Sequence, residues 1–245
     1  MMELYRACRA LYETAFGGAD DAWNDALFRH VMPDCLRVIA KDEKPQSMLF
    51  SIPYAICEAG GTREARYLYA VATDPDCRGQ GLATALLSRV IAEGYPVFLR
   101  PSSPSLFAFY QNAGLLPVSP VLTEVGAAAE SCAGTAFLSL TPGEYLSARA
   151  AFLKPPFATP TEDFLSLGYL TGGALGVPGE FVAFYERRGT EVCFKEWLGN
   201  LDFAPRAAAF LGAARYELRT PSPTGTPFGV AANCPEGLTF LIALD

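Results

Sequence analysis

The chain has 245 residues, of which 51% are hydrophobic and 18% charged, and its formal net charge at pH 7 is −7. This composition predicts a folded protein with apolar material for one large domain or two modest ones, and it argues against disorder. The acidic balance gives no basic footprint for a nucleic acid, and no run of about 20 apolar residues predicts a membrane span.

The seven cysteines are scattered along the chain, and His30 is the one histidine. Because no Cys-x-x-Cys pair occurs, the sequence argues against a zinc site and predicts reduced, mostly buried thiols. The N-terminus lacks the basic and then apolar layout of a secretory signal. We therefore expect a cytoplasmic protein without a bound metal.

The first half of the chain alternates between helical and strand-like patterns. Apolar residues spaced three and four apart indicate helices, and short alternating or continuous apolar runs indicate strands. Pro53, inside the second strand, indicates a bulge or a sheet edge. We predict, in chain order, helices over 4–15 and 20–31, strands over 36–40, 48–56 and 65–73, a helix over 82–93, a strand over 96–100, a helix over 105–113, and strands over 118–125 and 135–140.

The second half repeats this order of elements, although no residues recur at a fixed spacing. Its predicted elements are helices over 142–153 and 161–169, a hairpin of strands over 181–185 and 192–197, a helix over 204–211, and strands over 216–219, 228–232 and 240–244. The glycine-rich run 172–176 follows a helix and is interpreted as a turn. The pattern predicts a mixed α/β (α+β) sheet protein of two domains, 1–142 and 143–245.

The most informative stretch joins the strand 65–73 to the helix 82–93. Gly79, Gly81 and the small Ala83 remove side-chain bulk at alternating positions, so backbone amides can turn toward one point. These amides and the helix dipole form an anion site, to which Arg78 adds a charge-assisted contact. The stretch therefore predicts a loop that binds a pyrophosphate.

Three other interpretations of this loop were weighed. A dinucleotide fingerprint needs its first glycine directly after the strand and a small residue where Thr84 stands, and the loop fulfils neither condition. A P-loop needs Gly-Lys-Ser/Thr, which is absent from the sequence. An ordinary glycine loop that caps a helix stays open as the plain structural alternative.

Arg78, Gly81 and Ala83 fill the pattern Arg/Gln-x-x-Gly-x-Gly/Ala, and the stretch resembles motif A of the GNAT superfamily of N-acetyltransferases. The resemblance continues to Tyr110 and Gly114, which match a Tyr-x-x-x-Gly-aromatic signature except that Leu115 replaces the aromatic residue. An asparagine often found near the start of that helix is missing. The specific resemblance covers residues 65–116.

The segments Val71-Ala72-Thr73 and Asp74-Pro75 are similar to those of the enhanced-intracellular-survival-type acetyltransferases. The resemblance implies a GNAT acyltransferase fold followed by a second, degenerate GNAT-like domain. Fuller members carry a further lipid-carrier-like domain, for which this chain is too short. The second half has no motif A, so we expect one working cofactor site.

The resemblance implies acetyl-CoA (coenzyme A) as co-substrate and assigns residues to it. The backbone of the strand end would pair with the pantetheine amides, and the loop and helix amides would bind the pyrophosphate. The residues so assigned are Val71, Ala72, Thr73, Arg78, Gly79, Gln80, Gly81, Leu82, Ala83 and Thr84. An amide of Val71 or Ala72 would also face the thioester carbonyl.

The resemblance assigns Tyr110 as general acid for the departing thiolate, since a phenol stays protonated at neutral pH. The alternative is a tyrosine that packs on its helix. The base is open: Glu58, Glu64 and Glu124 lie near the expected cleft, but each is more typical of a solvated surface charge. In the similar subgroup the terminal carboxylate of the chain enters the active site, which makes Asp245 a second catalytic candidate. His30 is taken as structural or exposed.

Two functions are expected from these residues. The leading hypothesis is an N-acetyltransferase that acts on a primary amine of a small molecule, for which an acidic protein suits a polycation such as an aminoglycoside or polyamine. The alternative is a non-catalytic acyl-CoA-binding or regulatory module. Neither nucleic acid nor membrane is expected as a partner, and a homo-oligomer is left open.

Overall fold

A computed structural model describes residues 2–17, 21–31 and 34–241. Its backbone divides into two compact units, each assembled from separate segments of the chain. The first unit draws on Met1–Ala55, Arg63–Pro117 and Gly229–Pro235, and the second on Ile56–Thr62, Val118–Phe228 and Glu236–Asp245. The domain limits 1–142 and 143–245 stay a prediction.

The described elements follow the predicted order closely. The first half contains α1 (Met2–Phe16), α2 (Asp21–Val31), β1 (Leu36–Lys41), β2 (Lys44–Glu58), β3 (Gly61–Thr73), α3 (Leu82–Ala92), β4 (Val97–Leu99), α4 (Leu106–Asn112), β5 (Leu116–Ala127) and β6 (Leu138–Leu140). The second half contains α5 (Pro142–Phe152), β7 (Phe157–Pro160), α6 (Glu162–Gly168), β8 (Gly172–Val177), β9 (Phe181–Arg188), β10 (Glu191–Gly199), α7 (Ala204–Phe210), β11 (Arg215–Pro221) and β12 (Thr226–Ala232). None of the described helices is both long enough and apolar enough to cross a membrane.

In the first unit, β3 lies between β2 and β4 in the sheet. β1 and β2 are antiparallel, whereas β3 and β4 are parallel and are connected by α3. The buried face of α3 packs on this sheet through Leu86, Leu87 and Val90, and Leu68 and Leu99 belong to the same apolar cluster. Each such side chain contributes roughly 1.5–3 kcal/mol on burial. This cluster holds α3 against the end of β3.

The second unit has the same strand–helix–strand arrangement. Here β10 and β11 are parallel, from Glu191↔Arg215 to Phe194↔Leu218, and α7 connects them. β9 pairs with β10 as the predicted hairpin, and β8 pairs with the other side of β9. The predicted recurrence of elements is therefore confirmed at the level of secondary structure, and the mixed α/β class is confirmed with it.

The interpretation of residues 172–176 as a turn is wrong, because they form β8. A Cβ at Gly172 would lie 1.8 Å from the Tyr185 carbonyl oxygen, and one at Gly176 would lie 2.8 Å from the Phe181 carbonyl oxygen. These glycines therefore let β8 approach β9 closely, so they are strand residues. Glycine often marks a turn, but here it is required because the neighbouring strand leaves no room for a side chain.

The end of the chain also differs from the expectation. Phe240 and Leu241, the described residues of the predicted strand over 240–244, do not form a strand. Thr239 forms only an isolated bridge with Phe157. The remaining residues of the predicted strand, and with them Asp245, lie outside the described residues. The strand β7, which provides Phe157, has no counterpart among the predicted elements.

A buried ion pair joins α5 to β10 inside the second unit. Arg149 donates from Nε to Glu196 Oε2 at 2.6 Å and from Nη2 to Oε1 at 3.0 Å, and both residues are almost fully buried. Tyr145 Oη also donates to Glu196, and Arg149 Nη1 donates to the Ala158 carbonyl at 2.9 Å. Because its groups are so well satisfied, the pair orients α5 on the sheet, and loss of one partner leaves the other charge buried.

Arg149→Met should lower the free energy of unfolding by about 3–5 kcal/mol, since it leaves the Glu196 carboxylate buried without its cation. Urea denaturation followed by tryptophan fluorescence measures the change. Arg215→Met is the matched control, because the Arg215–Glu191 pair is exposed at both ends, and it should leave the unfolding curve nearly unchanged. Equal losses in the two variants would contradict this account of the buried pair.

Candidate active site

A cavity of about 410 Å³ opens in the first unit where β3 ends and α3 begins. This volume lies within the usual range for small-molecule sites. Its lining residues come from β3, the loop after it, the start of α3 and one face of α4. They are Val71, Thr73, Cys77, Arg78, Gly79, Gly81, Leu82, Ala83, Thr84, Leu106, Phe109 and Tyr110. Of the sequence-predicted site residues, Ala72 and Gln80 are outside this lining, and Asp245 is outside the described residues.

The side to which alternate backbone groups of β3 point reverses partway along the strand. Arg66 N donates to the Pro96 carbonyl beside β4 at 2.8 Å, whereas Asp74 N donates to the Gln46 carbonyl in β2 at 2.9 Å. In a regular strand two residues eight apart would face the same neighbour. The reversal therefore requires one irregular residue between them, and Ala70 has the left-handed φ of 53° that marks it.

This irregularity decides which amides of the strand end face the cavity. The Ala72 carbonyl faces β2, where it accepts a hydrogen bond from Ser47 Oγ at 3.1 Å. The Thr73 carbonyl faces the opposite way and accepts from Arg78 Nε at 3.3 Å. By alternation, Val71 shares the direction of Thr73. Val71 and Thr73 thus present backbone groups to the cavity, and Ala72 uses its own inside the sheet.

The side of β3 toward β4 is free for an extended ligand beyond Tyr67. β4 pairs with β3 only at Arg66↔Val97 and Tyr67↔Phe98, although β3 continues to Thr73. In the described part of the chain no other strand occupies that side of residues 71–73 in the sheet order. An exposed strand edge of this kind can bind amide groups as another strand would.

The loop between β3 and α3 is shaped by two left-handed glycines. Gly79 and Gly81 both have φ of 74°, and a Cβ at either would meet no atom within 4 Å. The requirement for glycine is thus one of backbone conformation and not of space. Gly81 is the N-cap of α3, and within the described residues no side chain caps it. The first amides of α3 therefore keep their N–H groups for a ligand.

Arg78 and Gln80 are exposed on this loop. Besides its contact with Thr73, Arg78 donates its backbone N–H to the Pro75 carbonyl at 3.4 Å. Gln80 follows it but does not line the cavity. The Arg78 guanidinium is therefore the cationic side chain of the described lining, next to the uncapped helix.

The Tyr-x-x-x-Gly spacing has a structural cause at the end of α4. Leu115 N donates to the Tyr110 carbonyl at 3.0 Å and Gly114 N donates to the Gln111 carbonyl at 3.0 Å, with Gly114 at φ of 92°. These two bonds and the left-handed glycine are a Schellman motif, and the buried Leu115 supplies its apolar contact. Helix termination thereby fixes the position of Tyr110 against the cavity.

Tyr110 is 6% exposed and its ring contacts Phe109 edge-on, with 5.0 Å between ring centroids. Burial raises the pKa of its phenol to about 12. A rise in pKa is expected for an acid whose charged form loses solvation. Tyr110 therefore stays protonated across the neutral range and can donate a hydrogen bond into the cavity.

Sequence reasoning missed the apolar wall of the cavity. Leu106 and Phe109 line it together with Tyr110, at the i, i+3 and i+4 spacing of one helix face. That spacing was visible in the sequence. Cys77 was also missed, and it accepts a long hydrogen bond from Gln46 Nε2 at 3.6 Å.

None of Glu58, Glu64 and Glu124 belongs to the described lining, and Asp245 stays a prediction. Glu64 is exposed and pairs with Arg66 at 2.7 Å, and His30 lies exposed near the end of α2. The described lining residues include no aspartate, glutamate or histidine. In the parts of the chain that the structure describes, no group of three or more possible ligands could hold a metal ion.

Comparison with known proteins agrees with this geometry. Residues 3–115 match the family model described as "Acetyltransferase (GNAT) domain". That part of the chain, which contains the whole described cavity lining, is similar to GNAT acetyltransferase domains. A sequence comparison with curated proteins finds no match.

Solved structures show the same fold at low sequence identity. A probable N-acyltransferase of unknown function from Enterococcus faecalis has a TM-score of 0.64 and 15% identity. The alignment covers 94% of this chain and 69% of that protein. A GCN5-related N-acetyltransferase from Anabaena variabilis has a TM-score of 0.68 and 14% identity, and the alignment covers 94% of this chain and 70% of that protein. Eis1 from Mycobacterium abscessus has 0.61 and 14%, with 92% and 64% covered. The chain thus spans about two thirds of these proteins, and the GNAT fold with its second α/β part is confirmed.

Gly81→Ala should weaken coenzyme A binding about tenfold or more, because a side chain at positive φ costs roughly 1–2 kcal/mol and displaces the helix amides. Titration calorimetry measures the affinity. Gly94→Ala is the control, since Gly94 has φ of 83° beyond the other end of α3 with open space around it. It should cost similar stability and leave the affinity unchanged. A Gly81→Ala protein that binds as tightly as Gly94→Ala would contradict the assignment.

Proposed function

We propose that this protein is an N-acetyltransferase that moves an acetyl group from acetyl-CoA to a primary amine of a small acceptor. The observation that carries the proposal is that one cavity is lined by the uncapped start of α3, the backbone of Val71 and Thr73, and the protonated Tyr110. Acyl-CoA would supply an activated thioester. The residues of the chain would bind it, orient it and stabilise the charge that develops.

The start of α3 and Arg78 fit the phosphate end of the cofactor. The amides of Leu82, Ala83 and Thr84 have no side-chain cap in the described structure, and Gly79 and Gly81 supply the left-handed backbone that the loop requires. The helix dipole contributes about 0.3–1 kcal/mol for an exposed anion. Several amides and one guanidinium that converge on a diphosphate make this the main source of affinity.

The end of β3 fits the pantetheine arm and the reacting carbonyl. Thr73 can exchange backbone hydrogen bonds with an amide of the arm, since its carbonyl already faces the cavity. Val71 N–H faces the same way two residues earlier, which suits a donor for the oxyanion. One such donor contributes roughly a factor of 10²–10³ to the rate in enzymes that use it.

Tyr110 suits the role of hydrogen-bond donor to the leaving sulfur. With a pKa of about 12, the phenol is a weaker acid than a thiol with a pKa of about 8.5. Full proton transfer to the thiolate would therefore be uphill, whereas a hydrogen bond to the developing charge remains favourable. Water can deliver the final proton once the site opens.

The amine must enter in its neutral form, and the described cavity lining supplies no carboxylate or imidazole to deprotonate it. Deprotonation would then fall to water or to a residue outside the described lining, and Asp245 remains a prediction for it. The net charge of −7 favours the approach of a cationic acceptor. An aminoglycoside or polyamine has this chemistry.

Release of free thiol from acetyl-CoA, measured with a panel of primary amines and polyamines, tests the proposal. Amine-dependent release with an acetylated product identified by mass spectrometry supports an N-acetyltransferase. Binding of coenzyme A with no release for any amine would contradict it and favour the non-catalytic acyl-CoA-binding module.

Tyr110→Phe should lower kcat about 10²–10³-fold and leave the affinity for coenzyme A nearly unchanged, because the ring stays and only the hydrogen-bond donor is lost. Steady-state rates and calorimetry separate the two effects. Phe109→Leu, on the same wall, is the control for altered packing and should change kcat far less. Normal turnover by Tyr110→Phe would remove Tyr110 from the mechanism.

The rate should rise with pH as the amine loses its proton, without a fall up to about pH 10.5. At that pH a phenol of pKa 12 is about 3% ionised, whereas one of pKa 10 would be about three quarters ionised. Initial rates corrected for thioester hydrolysis measure the profile. A fall with an apparent pKa near 10 that Tyr110→Phe abolishes would show that burial does not protect the phenol.

A further inference from the structure

Ser47 is a fully buried serine of β2 that lies behind the cavity edge of β3. Its Oγ lies 3.1 Å from the Ala72 carbonyl oxygen and 3.1 Å from Thr73 Oγ1. Both partners belong to the strand end that is proposed to bind the thioester and the pantetheine arm. Ser47 lies outside motif A, so the motif did not predict these contacts.

The direction of the hydrogen bonds follows from the number of protons available. The Ala72 carbonyl can only accept, so the single hydroxyl proton of Ser47 is given to it. Thr73 Oγ1 must then donate to Ser47 Oγ. The result is a chain from the Thr73 hydroxyl through the Ser47 hydroxyl to the Ala72 carbonyl, which ties two consecutive residues of β3 to β2.

This tie lies two and three residues after the irregular Ala70. A left-handed residue other than glycine costs of order 1–3 kcal/mol and persists where its surroundings determine the backbone. If Ala70 relaxed to a regular strand conformation, the alternation would return, and Ala72 would face β4 in place of Val71 and Thr73. The Ala72–Ser47 bond requires Ala72 to face β2, so it selects the irregular form.

We propose that Ser47 is a positioning residue: its hydroxyl holds the Ala72–Thr73 segment so that Val71 N–H and the Thr73 carbonyl face the acyl-CoA site. The inference rests on the proposed function, because it names a further determinant of the same site. Ser47 is not assigned any contact with substrate or cofactor.

Ser51 provides a matched control on the same strand. It lies four residues after Ser47, on the same face of β2 by alternation, and it is also buried, at 2% exposure. Among the described residues its Oγ has no hydrogen-bond partner. Ser51→Ala therefore removes a buried hydroxyl without breaking a tie to β3, and it should be neutral or stabilising.

The experiment compares amide hydrogen exchange of residues 70–73, kcat and coenzyme A affinity in the wild type, Ser47→Ala and Ser51→Ala. Loss of a buried hydrogen bond predicts about three- to tenfold faster exchange in Ser47→Ala and a fall in kcat of similar size. Affinity should change less than about twofold, since the phosphate end supplies most of it. Ser51→Ala should match the wild type in all three.

Thr73→Val and Thr73→Ser test the same chain of bonds at a half-buried position. Thr73→Val removes the donor and should speed exchange over 70–73, whereas Thr73→Ser keeps the hydroxyl and should not. Unchanged exchange in both Ser47→Ala and Thr73→Val, or equal effects of Ser47→Ala and Ser51→Ala, overturns the inference. A wild type without amine-dependent thiol release instead overturns the proposed function, and exchange still decides the role of Ser47.

Discussion

The left-handed backbone of Ala70 is the constraint on which the site depends. A regular β3 would direct the backbone groups of Ala72 toward the cavity side, and Val71 and Thr73 would then bond within the sheet. One irregular residue reverses this, as the opposite directions of Arg66 and Asp74 show. The strand thereby stays attached to β2 by one set of groups while it offers the alternate set to a ligand.

The other parts of the site lie around this strand end. β4 leaves β3 after two paired residues, and α3 starts at a glycine without a side-chain cap. The Schellman end of α4 places Tyr110 on the opposite wall. Each of these features gives up stability that a regular element would keep: a strand pair, a helix cap or a solvated phenol. Their concentration around one cavity is typical of a functional site.

The second unit repeats the arrangement but differs in the segment that leads to its helix. β10 and β11 stay paired from Glu191 to Phe194, and the connection from β10 to α7 passes through Gly199 and Asp202. The Asp202 carboxylate near the start of α7 would repel a phosphate. Inside this unit Arg149 and Glu196 form the buried ion pair. The charge of Asp202 is therefore in line with the expectation of one cofactor site in a chain with two similar halves.

The sequence predicted most elements, because helical and strand periodicities are local, and it located the cavity lining through Arg78, Gly81 and Tyr110. It could not predict the irregular Ala70 or the contacts of Ser47, since alanine carries no signal for a left-handed backbone and the partners of Ser47 are 25 and 26 residues away. It misassigned residues 172–176 for a related reason, as the strand glycines serve a neighbouring strand that is distant from any local pattern.

The most direct test of the central claim is to follow the backbone amide signals by nuclear magnetic resonance while coenzyme A is added. We expect the signals of Val71, Thr73 and residues 79–84 to shift, whereas those of the corresponding second-unit segment, 199–204, should stay in place. A titration that leaves the amides of 79–84 unmoved would contradict the claim.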